Sequence, residues 1–198
     1  MSTVNELLEA GSLRCSGSVS WGKRLPNDTP GVYIVSLSFD PDKSNGFLAT
    51  APIDHRMLAK WLERSREFKL DGKLSPSPEA VARRLSEYWL PDESILYIGQ
   101  TSKLRTRMNQ FYRHELGMKG SHSGGQWLKT LSALNTTFVH YAESLDPELS
   151  EYRLMQAFMV RVSERSRMNL RNNDRPYPFA NLEHPKLPKQ HGISQSPL

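Results

Sequence analysis

The 198-residue chain holds a single cysteine, Cys15, so it can form neither an internal disulfide nor a cysteine-built zinc site. No apolar run approaches the roughly 20 residues that span a bilayer. The first turn of sequence, Met1 to Ala10, carries Glu6 and Glu9 and no basic residue, unlike the charged-then-apolar form of a secretory leader. A cytoplasmic protein is expected. Neither Gly-rich phosphate-loop signature occurs, which removes the common nucleotide-binding folds. Internal repeats and low-complexity blocks are also missing.

What is present is a polar, mildly basic chain. Lys and Arg number 26 against 21 Asp and Glu, a net charge of +5. The pI is near 9.4 and the mean hydropathy is -0.58. The basic residues cluster. Lys103, Arg105, Arg107, Arg113, Lys119 and Lys129 face only Glu115. A second group is Arg161, Arg165, Arg167, Arg171 and Arg175, diluted by Glu164 and Asp174. Such clusters suit phosphate contacts, which release counterions, although an ordinary solvated helix face can look the same.

The periodicities predict an α+β fold. A short helix is expected over 4–10. GVYIVSLSF, Gly31 to Phe39, is rich in β-branched and aromatic residues and predicts a strand. Asp54 is placed to cap a helix whose apolar face is Met57, Leu58, Trp61 and Leu62. Ser77 and Pro78 open another, with Val81, Leu85, Tyr88 and Trp89 on one side. SILYIGQT, Ser94 to Thr101, is the second strand, followed by a basic helix to about His114. A short helix follows Gly125, and Thr136 to Ser144 alternates as a third strand. Pro147 opens the longest helix, expected to reach Arg165. The sum is a small, three-stranded, mainly antiparallel sheet flanked by helices. A helical insertion, about 40–91, separates the first two strands. Residues 1–29 read as an N-terminal extension, 30–182 as the domain, and 183–198 as a loose tail.

Gly31-Val32-Tyr33 and Tyr97-Ile98-Gly99 resemble the paired signature of the GIY-YIG nucleases. That family carries an arginine ten residues beyond the second tyrosine, and Arg107 stands at that spacing from Tyr97. It carries a helical glutamate three residues before an apolar pair, and Glu151 precedes Leu154 and Met155 in that way. It closes with an asparagine, matched by Asn181 or by Asn169. His122 and Ser123 begin a small-residue loop similar to one in some phage homing endonucleases of this type. The resemblance covers roughly Pro30 to Leu182, and the long first insertion is more like the restriction enzymes than the compact repair module.

The resemblance implies hydrolysis of a DNA phosphodiester with one divalent ion, Mg²⁺ or Mn²⁺. It implies Glu151 as the metal ligand and Tyr33, Tyr97, Arg107 and Asn181 as further catalytic residues. Double-stranded DNA is the expected partner, with Lys103, Arg105, Arg113, Lys119 and Lys129 as contacts. A homodimer would follow from cutting both strands of a palindrome.

The chemistry agrees. A guanidinium offers phosphate oxygens a planar fork that lysine lacks. A carboxylate is a hard ligand of the kind Mg²⁺ uses one or two of, keeping its waters. A phenol can orient or deprotonate water if a cation lowers its pKa.

Two positions depart from the family pattern. Gln100 replaces a lysine, and Phe111 replaces a His or Tyr one turn after the arginine. Tyr112, His114 or His122 is expected to supply the missing polar contact, His122 ahead of His114. Without such compensation the alternative is a DNA-binding module that cuts weakly or not at all.

Overall fold

The structure, a computed structural model, describes residues 1–117, 125–171, 175–182 and 191–197, apart from the side chains of residues 66, 196 and 197. Its centre is an antiparallel sheet in which β2 (Gly31–Ser36) lies between β5 (Ile95–Thr101) and β6 (Phe138–Glu143). These are the three strands the sequence predicts. A fourth, β1 (Gly17–Ser20), pairs with β6 and completes the order β1-β6-β2-β5. The N-terminal segment is therefore part of the central sheet rather than an appendage. The fold is α+β, with helices and antiparallel sheets.

Every residue of β2 is buried, because both faces of the sheet are covered. Strand alternation sends Val32 and Ile34 to one face and Tyr33 and Val35 to the other. On the first face α1 (Val4–Ala10) and α5 (Pro147–Arg161) pack, with Val4, Leu7, Leu154 and Phe158 against Ile34 and Ile98. The second face receives α4 (Leu104–Arg113) through Leu104, Met108 and Phe111. The long helix ends at Arg161, and a short α6 (Glu164–Met168), capped by Ser163, takes over where a continuous helix is expected.

The segment between β2 and β5 packs onto the second face. It contains α2 (His55–Glu63), capped by Asp54, and α3 (Pro78–Ser86), capped by Ser77, as the sequence predicts. Between them lie β3 (Ser65–Leu70) and β4 (Lys73–Leu74), joined through Asp71 and Gly72 at positive φ. A separate strand, β7 (Ile193–Pro197), pairs antiparallel with β3. Among the described residues of the chain end, Ile193–Pro197 is thus anchored, not loose. Trp61 Nε1 donates to Gln195 Oε1 at 2.5 Å, and Arg84 binds both Asp71 and the His191 carbonyl at 2.9 Å. Among the described residues no helix is long and apolar enough to cross a membrane.

Candidate functional site

The register of β2 and β5 sets Tyr33 opposite Gly99 and Tyr97 opposite Val35. Tyr33 and Tyr97 are therefore diagonal neighbours on one face, with ring centroids 5.8 Å apart. Glycine at 99 is what lets them meet. A Cβ there would lie 2.7 Å from both Tyr33 Cζ and Tyr97 Cε1. Gly31 is equally constrained, since its Cβ would fall 2.2 Å from the Ala142 carbonyl oxygen. Both signature glycines thus have a steric reason at the site itself. Gly99→Ala is expected to push the two rings apart, costing about 1–3 kcal/mol of stability as overpacking does. Catalysis should suffer more, because misplacement by about 1 Å can cost on the order of 10²-fold. Thermal melting and single-turnover kinetics on the same variant separate the two effects.

Arg107 reaches this pair from α4. That helix is fixed by the loop before β2: Thr106 N and Oγ1 both donate to the Asp28 carboxylate at 2.8 Å, and Leu104 N donates to the Thr29 carbonyl. These contacts satisfy backbone groups that a helix start leaves open. They also hold Arg107 in fixed relation to Tyr33, three residues beyond Pro30. Arg107 donates a hydrogen bond to the Tyr33 phenol, which is also hydrogen-bonded to Tyr97. Burial pushes both phenols above the usual range. Arg107 opposes that rise and Glu151 adds to it at both tyrosines, and Tyr33 adds to it further at Tyr97.

Glu151 arrives from α5. Asp146 caps that helix by accepting from Leu149 N at 3.1 Å, and Leu154, Met155 and Phe158 seat it on the sheet. Glu151 lies three and four residues before Leu154 and Met155, on their side of the helix. Its carboxylate is half-buried, and desolvation together with neighbouring Glu148 raises its pKa to about 7, against the pull of Arg107. A carboxylate destabilised by burial and by a second carboxylate gains from a bound cation. The donor set therefore fits a single hard divalent ion held by Glu151 and water. Among the described residues no three His, Cys, Asp or Glu side chains gather into a larger metal cluster.

Asn181 sits one layer back. Its amide brackets the backbone of Ile98, accepting from Ile98 N at 2.9 Å and donating to Ile98 O at 2.7 Å. β5 is an edge strand, and Asn181 pairs its open edge at the residue between Tyr97 and Gly99. It is a positioning residue. Asn169, the alternative, ends α6.

The expected auxiliary residues divide. Phe111 is buried, 5.8 Å from the Tyr97 ring and 5.2 Å from Trp21, so it is a packing wedge beneath the site. Tyr112 packs edge-on against Trp21 at 5.0 Å with its hydroxyl buried. His114 lies within the electrostatic reach of Arg107; burial, Lys129 and Arg107 lower its pKa, so its imidazole is neutral at pH 7. His122 and Lys119 lie outside the described residues.

Of the basic residues, Lys103 and Arg113 are exposed. Arg105 donates to the Pro26 carbonyl at 2.6 Å and so secures the same loop as Asp28. Lys129 is half-buried, donating to the Tyr112 carbonyl at 3.1 Å with its ammonium 5.2 Å from the Trp21 ring centre. Several arginines of the second cluster make contacts within the chain. Arg165 pairs with Asp92, Arg171 with Glu87, and Arg167 with the Met159 and Val162 carbonyls. Asp28 was not foreseen as a site-building residue; its role depends on a contact across 78 residues, for which the local sequence carries no signal.

No protein-family model, curated protein or solved structure matches this chain.

Proposed function

We propose that the chain is a GIY-YIG-type endonuclease that hydrolyses phosphodiester bonds of double-stranded DNA with Mg²⁺ or Mn²⁺. The observation that carries this reading is convergence. Tyr33, Tyr97, Arg107 and Glu151 come from four separate elements and interact electrostatically with one another at one place. Side chains selected only for packing have no reason to bring a guanidinium and a strained carboxylate onto two buried phenols.

Each group has a distinct task. Arg107 binds the scissile phosphate and offsets the charge that grows on it in the transition state. Tyr33, hydrogen-bonded by Arg107 and Tyr97, orients the attacking water through its Oη. Tyr97 holds Tyr33 in place. Glu151 would hold the divalent ion, which supplies Lewis-acid stabilisation of the phosphorane and the leaving oxygen. His114, which feels the charge of Arg107, is the described residue best placed to take the part that Phe111 cannot play.

The test is supercoiled plasmid incubated with the protein and Mg²⁺ beside an EDTA control. Conversion to nicked or linear DNA only with the metal is expected. Linear product formed directly would support the paired action of a dimer. Salt-sensitive DNA binding with no conversion in either metal would favour the non-cleaving module, the reading to which the buried Phe111 and Gln100 lend weight.

A further inference from the structure

Beside the catalytic cluster lies a pocket of about 560 Å³ between α2 and the C-terminal end of α4. Its volume is in the range of built ligand sites. Its walls are strongly biased in charge. Lys60 and Arg64 come from α2, Arg113 from the end of α4, and Lys129 from the turn beyond. Glu115 is the one acidic residue lining it, and it pairs with Arg64. Among the described residues Lys60 and Arg113 face the cavity without an ion pair, and Lys129 feels only the charge of Glu115.

Lys129 is informative. Its ammonium is held in place by the Tyr112 carbonyl and by the rings of Trp21 and Phe111, at 5.2 and 5.8 Å. Partial burial brings its pKa down to about 8. A pinned, partly dehydrated cation gains more from an anion than a solvated one does. The Phe111 ring beside it is the one that touches Tyr97, and His114 lines the pocket while sensing Arg107. The pocket is thus linked to the catalytic cluster through Phe111, which meets both the Lys129 ammonium and the Tyr97 ring, and through His114, which lines it.

We propose that this pocket is a second phosphate site, which holds a phosphate of the substrate strand flanking the one that Arg107 engages. The inference rests on the DNA-nuclease reading above. It assigns a task to the segment dividing the two signature strands: α2 completes with α4 a site that neither helix makes alone. Occupying it fixes the register of the strand, so that the scissile phosphate arrives already oriented.

The test is fluorescence anisotropy of a labelled DNA duplex in EDTA, titrated with KCl, with wild-type protein and the double variant Lys60→Gln/Arg113→Gln. Both side chains are exposed, so the fold tolerates their loss. Each lost phosphate contact lowers the slope of log K against log salt by about 0.9. The double variant is expected to lose about 0.9 in slope, for the one phosphate of the site, and to bind about tenfold more weakly at moderate salt. Lys73→Gln/Arg83→Gln removes the same charge from exposed positions that do not line the pocket, and should bind as wild type does. Equal loss in both double variants would overturn the proposal in favour of a general charge effect, as would wild-type binding by the pocket variant. If wild type itself shows no salt-dependent binding and no cleavage, the nuclease reading fails and the pocket proposal falls with it. If wild type cleaves and only the slope is unmoved, the pocket alone is refuted.

Discussion

Arg107→Lys is expected to slow single-turnover cleavage by about 10²- to 10³-fold, on the order of 3–4 kcal/mol, the loss seen when one aligned donor to a developing oxyanion is removed. The substitution keeps the positive charge, so DNA affinity should change little. What it removes is the planar fork, which lets Arg107 donate to Tyr33 while it meets phosphate oxygens. Lysine has the charge but not two rigidly related donors. The same change at Arg105 is a sharp comparison. Arg105 is spent on the Pro26 carbonyl, so Arg105→Lys should lower stability slightly and leave the rate near that of wild type. A dead Arg105→Lys beside an active Arg107→Lys would mean that the wrong arginine has been placed at the phosphate.

Glu151→Gln is expected to do two opposite things. It should remove metal-dependent cleavage, because an amide is a poor ligand for Mg²⁺. It should also make the metal-free protein more stable at pH 8. The sign follows from linkage. The Glu151 carboxyl has a pKa of about 7 in the folded chain and the usual 4.5 when unfolded. Ionised Glu151 therefore costs the fold stability in full above about pH 7. The cost fades as pH falls from 7 towards 4.5, because the folded state takes up a proton, and it is absent below 4.5. Discounting for partial exposure, the cost is on the order of 2 kcal/mol. Melting temperatures in EDTA should thus favour Glu151→Gln at pH 8 and converge with wild type near pH 4.5. In wild type, cleavage should fall as pH drops below 7 and the carboxylate takes a proton, with added metal moving that midpoint lower. A destabilised carboxylate retained at a site is what a stability–function trade-off looks like. A Glu151→Gln protein less stable than wild type at every pH would instead mark Glu151 as a structural residue.

How far the sequence discloses all this depends on the range of each interaction. The strands at Tyr33 and Tyr97 are legible because dense β-branched and aromatic runs state their own period. The caps Asp54 and Ser77 and the helix-opening Pro147 are legible for the same local reason. β1 and β7 are not, since Gly17–Ser20 and Ile193–Pro197 are short, polar segments that become strands only through partners far away in sequence, β6 and β3. β3 escapes because Ser65–Leu70 lies directly after a helix and alternates weakly. The four-residue cluster is legible as spacing, but its electrostatics are not: that burial raises both phenols, or that Glu148 strains Glu151, needs coordinates. Basic residues are the least legible. Arg105 and Arg171 look like phosphate contacts in the sequence and tie parts of the fold together, whereas Lys60 joins a charged pocket from the inserted segment.

The most direct measurement is plasmid cleavage by wild type and Glu151→Gln side by side in Mg²⁺ at pH 8, with duplex binding followed in parallel. Wild type should convert supercoiled DNA and stop when EDTA is added. Glu151→Gln should bind the duplex as tightly and leave the plasmid intact. Cleavage by Glu151→Gln at the wild-type rate, or wild-type cleavage that persists in EDTA, would contradict the account at its centre.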